Sequence, residues 1–416
     1  MRQPKAAQTT SAEAIRILMV THVIPFPPAA GNEIRILNML NWMRRQRYQV
    51  TLIICPLDGN IPDDATTALR DLVHELHVFD RHSVQAHGLH SVTIPLDSDC
   101  CDDRLSTIQD NFCPGWLITE IGRLTEAITP HIVVAQYVFM SRILRMPEHA
   151  RCLKVIDTHD LFCRKQHTAE QYGMKYGLSL SDEQESRLLQ RADVLLAIQA
   201  TEQAELHKLA PSSQILLVGF DQELPTVDRT RQKKDLVLIV ASSNEFNVRG
   251  TQDFLDLTWP LVREARPDAK LRILGRVCGR VRSTDPSVEL VGYVEDLQNE
   301  YDEATVVVNP CRVGTGLKIK TVEALARGKA HVAWPSSIDG LREIGDVPVA
   351  IARNIVDFAD SVARLLDEAR ERDILETSSR RFIAENFGPE KVYSGLAAAI
   401  EEHLESSTES RSIVGT

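Results

Sequence analysis

The sequence predicts two doubly wound α/β domains facing each other across a cleft, with a C-terminal helix after them. Three observations predict it. At 416 residues the chain is too long for one ordinary core, so two units of roughly 200 residues are the default. Short β-branched runs alternate with helical patterns, which implies parallel sheets covered by helices on both faces. The alternation breaks once, at the polar segment DQELPTVDRTRQKKD (221–235), and then restarts. The boundaries drawn on this basis are 14–220, 221–388 and, for the terminal helix, 389–405.

In chain order, IRILMV (15–20) reads as a buried strand and EIRILNMLNWMRRQ (33–46) as a helix, because Ile36, Leu37, Leu40 and Met43 recur at helical intervals. VTLII (50–54), HIVVAQY (131–137), LKVID (153–157), VLLAI (194–198) and ILLV (215–218) continue the strands of the first series. LVLIVA (236–241), AKLRILG (269–275), VELVG (288–292), ATVVVNP (304–310), AHVAW (330–334) and PVAIA (348–352) form the second. Pro389 opens the last helix. The tail SSTESRSIVGT is too polar to bury a core face and is expected to be disordered. Residues 82–115, rich in His, Cys and Asp, look like an insertion without an assigned place.

Composition excludes several classes of function. A 43% hydrophobic and 25% charged chain is globular, and a net charge of −11 argues against generic nucleic-acid binding. The eight cysteines are scattered, without a Cys-x-x-Cys pair or a His/Cys group at zinc spacing, so neither a disulfide framework nor a resident metal or cofactor is expected. The polar start MRQPKAAQTTSAEA lacks a secretory-type apolar core, and no run nears the roughly 20 apolar residues of a membrane span. A cytoplasmic protein is expected, placed at most on the inner face of a membrane. NWMRRQRYQ (41–49) would supply such a contact with anionic headgroups, against the plainer reading of a solvated helix end.

In open parallel sheets ligands bind beyond the carboxyl ends of the strands, so the residues leaving each strand carry the functional reading. Gly31 and Asn32 precede a helix, where free backbone N–H groups favour a phosphate, and Arg35 one turn on would add charge; the alternative is a proline-stiffened turn. His159 lies just past a strand between Asp157 and Asp160, and a carboxylate there would set its tautomer. Arg249 and Gly250 stand at the expected start of a helix, where guanidinium and helix N-terminus would act on one anion. The richest segment is VGTGLKIKTVEALARGKA (313–330). Gly314 and Gly316 let backbone approach a ligand, Lys318 and Lys320 share one side of an extended stretch, and a helix then begins. That pocket suits a diphosphate, and Glu323 one turn inside suits sugar hydroxyls such as a ribose diol. The glycine spacing matches neither the dinucleotide-binding nor the Walker pattern.

These segments resemble the group-1 family of retaining, nucleotide-sugar-dependent glycosyltransferases with the GT-B fold. The likeness covers roughly 14–400 and rests on PPAAGNEIR, DTHD, RADVLLAIQATEQAEL, LVGFD, NVRG, LRILG, VELVGYVEDL and NPCRVGTGLKIKTVEALARGKAHVAWP in that order. It implies two Rossmann-like domains, the first holding the acceptor and the second the nucleotide-sugar, with the terminal helix packing back toward the first. It implies a donor site of Gly31, Asn32, Arg249, Gly314, Thr315, Gly316, Leu317, Lys318, Lys320 and Glu323. His159, Lys320 and Arg249 would be catalytic, the cations neutralising a diphosphate without metal. The acceptor would be a glycan, a lipid-linked or a small molecule, in polysaccharide, glycolipid or glycoconjugate synthesis. Two departures stand out. Many members carry a glutamate eight positions before Glu323, where this chain has Thr315, and Gln199 replaces a commoner serine. The first leaves open a catalytically degenerate module that binds nucleotide-sugar or glycan as a partner subunit.

Overall fold

The computed structural model of the chain describes residues 14–28, 30–57, 61–81, 103–165, 178–312 and 319–414. Two parallel sheets organise it. The first has seven strands, β1 (Arg16–Thr21), β2 (Gln49–Ile54), β3 (Glu75–Val78), β4 (Ile132–Gln136), β5 (Leu153–Asp157), β6 (Val194–Ala197) and β7 (Gln214–Leu217), in the order β3-β2-β1-β4-β5-β6-β7. The second has six, β8 (Leu236–Val240), β9 (Lys270–Leu274), β10 (Val288–Gly292), β11 (Val306–Asn309), β12 (His331–Ala333) and β13 (Ala350–Ile351), in the order β10-β9-β8-β11-β12-β13. Central strands such as β1 and β4 are buried along their length, as strands covered on both faces must be, and therefore read as continuous apolar runs rather than alternating ones.

Two expectations are corrected. β3 was not anticipated: ELHV carries a charge and a histidine, is exposed at both ends and only partly buried between, and is an edge strand without the apolar run that marks the others. The tail is not disordered along its length, because one helix runs from Ser394 to Val414. Its hydroxyls bond back to the preceding turn, Ser406 Oγ to Glu402 O and Thr408 Oγ1 to Leu404 O, both at 2.8 Å. Within the supposed insertion, 82–102 lies outside the described residues, and helices Asp103–Phe112 and Gly115–Ile128 follow. Cys100 and Cys101 fall in the undescribed part.

The chain crosses between the sheets twice. After β7 it passes through Phe220, and after the Ala369–Asn386 helix it returns so that Tyr393, Leu396, Ala399 and Ile400 join the first sheet's core. There Tyr393 stacks on Trp42 at 4.6 Å and donates to Asp221 Oδ1 at 2.7 Å. A separate apolar cluster joins Ile198 and Phe220 to Val322 and Leu325, binding the two halves directly.

Candidate active site

In each sheet the strand order reverses between its first and fourth strands in sequence, β1 and β4 in one and β8 and β11 in the other. Such reversals leave a crevice at the carboxyl ends, where loops diverge to opposite faces. Three of the segments singled out in the sequence leave from these strands, and the fourth, with His159, leaves β5 beside β4. β1 leads to Gly31, β4 ends at Gln136, β8 leads to Asn244, and β11 leads to the glycine loop.

Beyond β11 the backbone is tied down residue by residue. Trp334 Nε1 donates to Pro310 O at 3.1 Å, Ser337 Oγ to Cys311 O at 3.0 Å and Ser336 Oγ to Arg312 O at 2.7 Å. Arg312 also lies 4.1 Å from the Trp334 ring centre. Gly314, Thr315, Gly316, Leu317 and Lys318 lie outside the described residues, but the anchor on one side and the helix Ile319–Ala326 on the other are defined. That helix starts earlier than expected, so Lys320 is helical rather than extended. The reason is an i,i+3 ion pair on its first turn, with Lys320 Nζ 3.0 Å from Glu323 Oε2. Glu323 is only 6% exposed, and Thr321 Oγ1 pins the same turn to Ser337 O at 3.0 Å.

The helix Glu245–Asp253 abuts this exit. A Cβ on Gly250 would stand 2.8 Å from Pro310 O and 2.9 Å from Cys311 Cα, so only glycine permits the approach. Arg249 is therefore carried alongside 310–311 on an exposed turn. It is not at the helix start, which is Glu245, capped by Asn244 Oδ1 accepting from Asn247 N at 2.9 Å; Asn244, not the Arg249–Gly250 pair, is the N-terminal signal.

From the other half, Gly31 and Asn32 are the first residues of helix Gly31–Arg45. A Cβ built on Gly31 would lie 2.5 Å from Ile319 Cδ1. The first residue of one helix thus touches the first described residue of the other, which belongs to the other half. Arg35 does not join them. It is 2% exposed, its Nε and Nη2 hold Asp157 in a two-pronged pair at 2.7–3.0 Å, and its Nη1 donates to Gly219 O at 2.5 Å. A long cation beside a buried carboxylate turns inward rather than face solvent.

His159 sits at the end of β5, 5% exposed, with φ at 59°, and its ring stacks 4.1 Å from that of Tyr137. Tyr137 leaves β4 with φ at 70°, so two neighbouring strands end in left-handed, non-glycine residues, a strain that collects at functional crevices. The expected carboxylate does not set the histidine's tautomer. Asp157 is taken by Arg35 and stays 3.6 Å from Nε2, while Asp160 pairs with Lys165 at 2.5 Å. Gln136 takes that role. Its amide nitrogen faces the sulfurs of Met19 and Met39 at 3.6 Å, so its oxygen, 2.7 Å from Nε2, accepts the ring's proton. Burial holds His159 neutral, lowering its pKa to about 4 against the opposing pull of Asp157. Gln136 and Tyr137 were inside a strand in the sequence reading; their place at its carboxyl end was the available signal.

Residues 234–368 match the family model described as "Glycosyl transferases group 1". An uncharacterized protein of the cps region of Klebsiella pneumoniae is 24% identical over 167 residues, 36% of this chain and 42% of that protein, so the match spans less than half of that relative. Among solved structures, sucrose-phosphate synthase from Thermosynechococcus elongatus superposes with a TM-score of 0.65 at 15% identity, covering 94% of this chain and all of that one (100%). HepE of Anabaena, solved with UDP and glucose, gives 0.63 at 11% identity over 93% and 100% of the two chains. TarM of S. aureus, solved with fondaparinux, α-GlcNAc-glycerol and UDP, gives 0.66 at 11% identity over 93% and 99%. The protein has the GT-B fold, and residues 234–368 of its second half match the group 1 glycosyl transferase model.

Proposed function

We propose that the protein transfers a sugar from a nucleoside diphosphate sugar to an acceptor hydroxyl, with the donor held by the second half and the acceptor by the first. The observation that carries this is the meeting of the Gly31 and Ile319 helix starts beside Lys320 and Glu323. Free N–H groups from two helices make a place for a diphosphate, and the buried carboxylate beside it accepts from a ribose diol. On binding, Lys320 exchanges Glu323 for the phosphates, and Lys318 and Arg249 add charge. These cations and the helix ends stabilise the leaving diphosphate, the role a metal fills elsewhere. The acceptor hydroxyl attacks from the face the diphosphate leaves, which retains the anomeric configuration. His159, neutral and oriented by Gln136, borders the transferred sugar. The HepE and TarM structures hold UDP, which favours a uridine donor.

The test is calorimetry with UDP, GDP and ADP. Glu323→Ala is expected to weaken the preferred nucleotide about tenfold, equivalent to about 1.4 kcal/mol, and Lys320→Ala to cut turnover by a similar factor or more. Unchanged binding and turnover in both variants would remove the donor assignment. A second reading, a non-catalytic module that binds nucleotide-sugar, is favoured by Thr315 alone. Purified protein that binds the donor but never hydrolyses it would support that reading.

A further inference from the structure

Among the described residues, the first half of the molecule buries two side-chain oxygens that no protein group bonds, Gln199 Oε1 and Glu202 Oε2. They belong to one short stretch. β6 ends at Ala197, Gln199 is the N-cap of helix Ala200–Leu209, and Glu202 is its third residue. Positions three apart share a helix face. Gln199 makes no capping bond, so it forgoes the usual service of a residue at that position. Glu202 is 7% exposed, too buried for bulk water to satisfy it fully. Its carboxyl meets the Ile198 backbone, but Oε2 is left without a partner, which is destabilising.

Location and surrounding charge narrow the occupant. Ile198, adjoining Gln199, packs with Val322 and Leu325 in the cluster that joins the two halves, so this helix start lies at the junction of the halves. Glu202 lies within electrostatic reach of Asp160, Arg35 and Lys165, and Asp160 directly follows His159. Arg35 and Lys165 disfavour a cationic ligand, and Asp160 disfavours an anionic one. Of the vacant bonds, Gln199 Oε1 accepts, and Glu202 Oε2 accepts or, when protonated, donates. A neutral molecule bearing several hydroxyl donors meets all three conditions.

We propose that Glu202 and Gln199 form a hydroxyl-binding subsite for the acceptor, a neutral sugar or polyol, on the His159 side of the crevice. The assignment rests on the glycosyl-transfer reading and names the substrate class for its acceptor half. Burial, followed by Asp160, raises the Glu202 pKa to about 8, with the Ile198 backbone, Arg35 and Lys165 opposing. A carboxyl that is largely protonated at neutral pH both gives and takes a hydrogen bond with a hydroxyl. Gln199, at the N-cap without a capping bond, forgoes helix stability that a ligand contact offsets.

The experiment is saturation-transfer NMR of UDP-loaded full-length protein with methyl hexopyranosides and glycerol, alongside UDP calorimetry and thermal melts. Wild type is expected to bind at least one of these polyols, with affinity changing between about pH 6 and about pH 9 as the Glu202 carboxyl ionises. Glu202→Gln should weaken that ligand about tenfold and abolish the pH dependence while UDP binding stays intact. Gln199→Ser should weaken the ligand yet raise the melting temperature by restoring the cap, a combination that a merely structural role does not produce. No polyol bound, or unchanged affinity in both variants, overturns the subsite. Failure of wild type to bind any nucleotide would instead strike the donor reading, and the polyol experiment would be read on unliganded protein by the same criteria.

Discussion

Arg35 stands one turn inside a helix start suited to phosphate, yet its guanidinium points away, closing on Asp157 and the Gly219 carbonyl. It thereby holds the carboxylate next to His159 and the strand exit leading to the second half. Arg35→Met removes one partner of a buried pair, and the stranded Asp157 should cost about 3–5 kcal/mol in urea unfolding. A loss within error of zero would mean that Asp157 finds another donor. Histidines set the acid limit. His331 is buried in β12 with neither ring nitrogen well bonded, although the Val307 backbone is close, and burial lowers its pKa to about 4. His159 is lowered likewise to about 4, and His22, also by burial first, to about 3. Between these values and the ordinary 6.5 the unfolded chain holds more protons than the folded one, so stability falls as pH drops through that window. His331→Leu should raise stability by about 1 kcal/mol at neutral pH and reduce the slope of unfolding free energy against pH below about 6.5 by about one proton. An unaltered slope would show that His331 is already protonated in the fold.

At the scale of elements, the donor half depends on how closely the Glu245–Asp253 helix can approach the end of β11. Gly250→Ala puts a methyl against the Pro310 carbonyl and the Cys311 backbone, neither of which is a flexible side-chain tip. The helix must retreat, carrying Arg249 with it. The expected outcome is a loss of about 1–3 kcal/mol in stability together with weaker nucleotide binding, read by thermal melts and calorimetry. Stability lost with nucleotide affinity unchanged would detach Arg249 from the donor site. Most elements were legible because a buried parallel strand must be a continuous apolar run. β3 escaped because an edge strand needs no such run, and the terminal helix was underestimated because a polar, Ser- and Glu-rich stretch can follow a helix already nucleated by its apolar start.

For the whole molecule, the two halves are held by contacts remote in sequence. Trp42, Tyr393 and Asp221 come from the first helix, the returning C-terminal segment and the connection after β7. Asn38 Nδ2 donates to the Asp221 carbonyl at 2.8 Å, and Arg45 pairs with Glu223 at 2.5 Å, so the end of the first helix braces the linker. Tyr393→Ala empties a fully buried ring site, with an expected cost of about 3–5 kcal/mol and loosened coupling between the halves. Calorimetry should then show two unfolding transitions where wild type shows one; a single transition with unchanged midpoint would assign the coupling to the Ile198–Val322 cluster. Among the described residues no helix is long and apolar enough to cross a membrane, and no group of three His, Cys, Asp or Glu side chains is placed to hold a metal ion.

By itself the sequence determined the two parallel sheets and the strand ends where a ligand would lie, since periodicity and glycine placement are local properties that backbone sterics convert directly into elements. Only the tertiary structure decided which polar side chains face the crevice. Arg35 turned into the core and Gln136 rather than an aspartate took the His159 proton, because each partner arrives from another strand and wins by burial and distance.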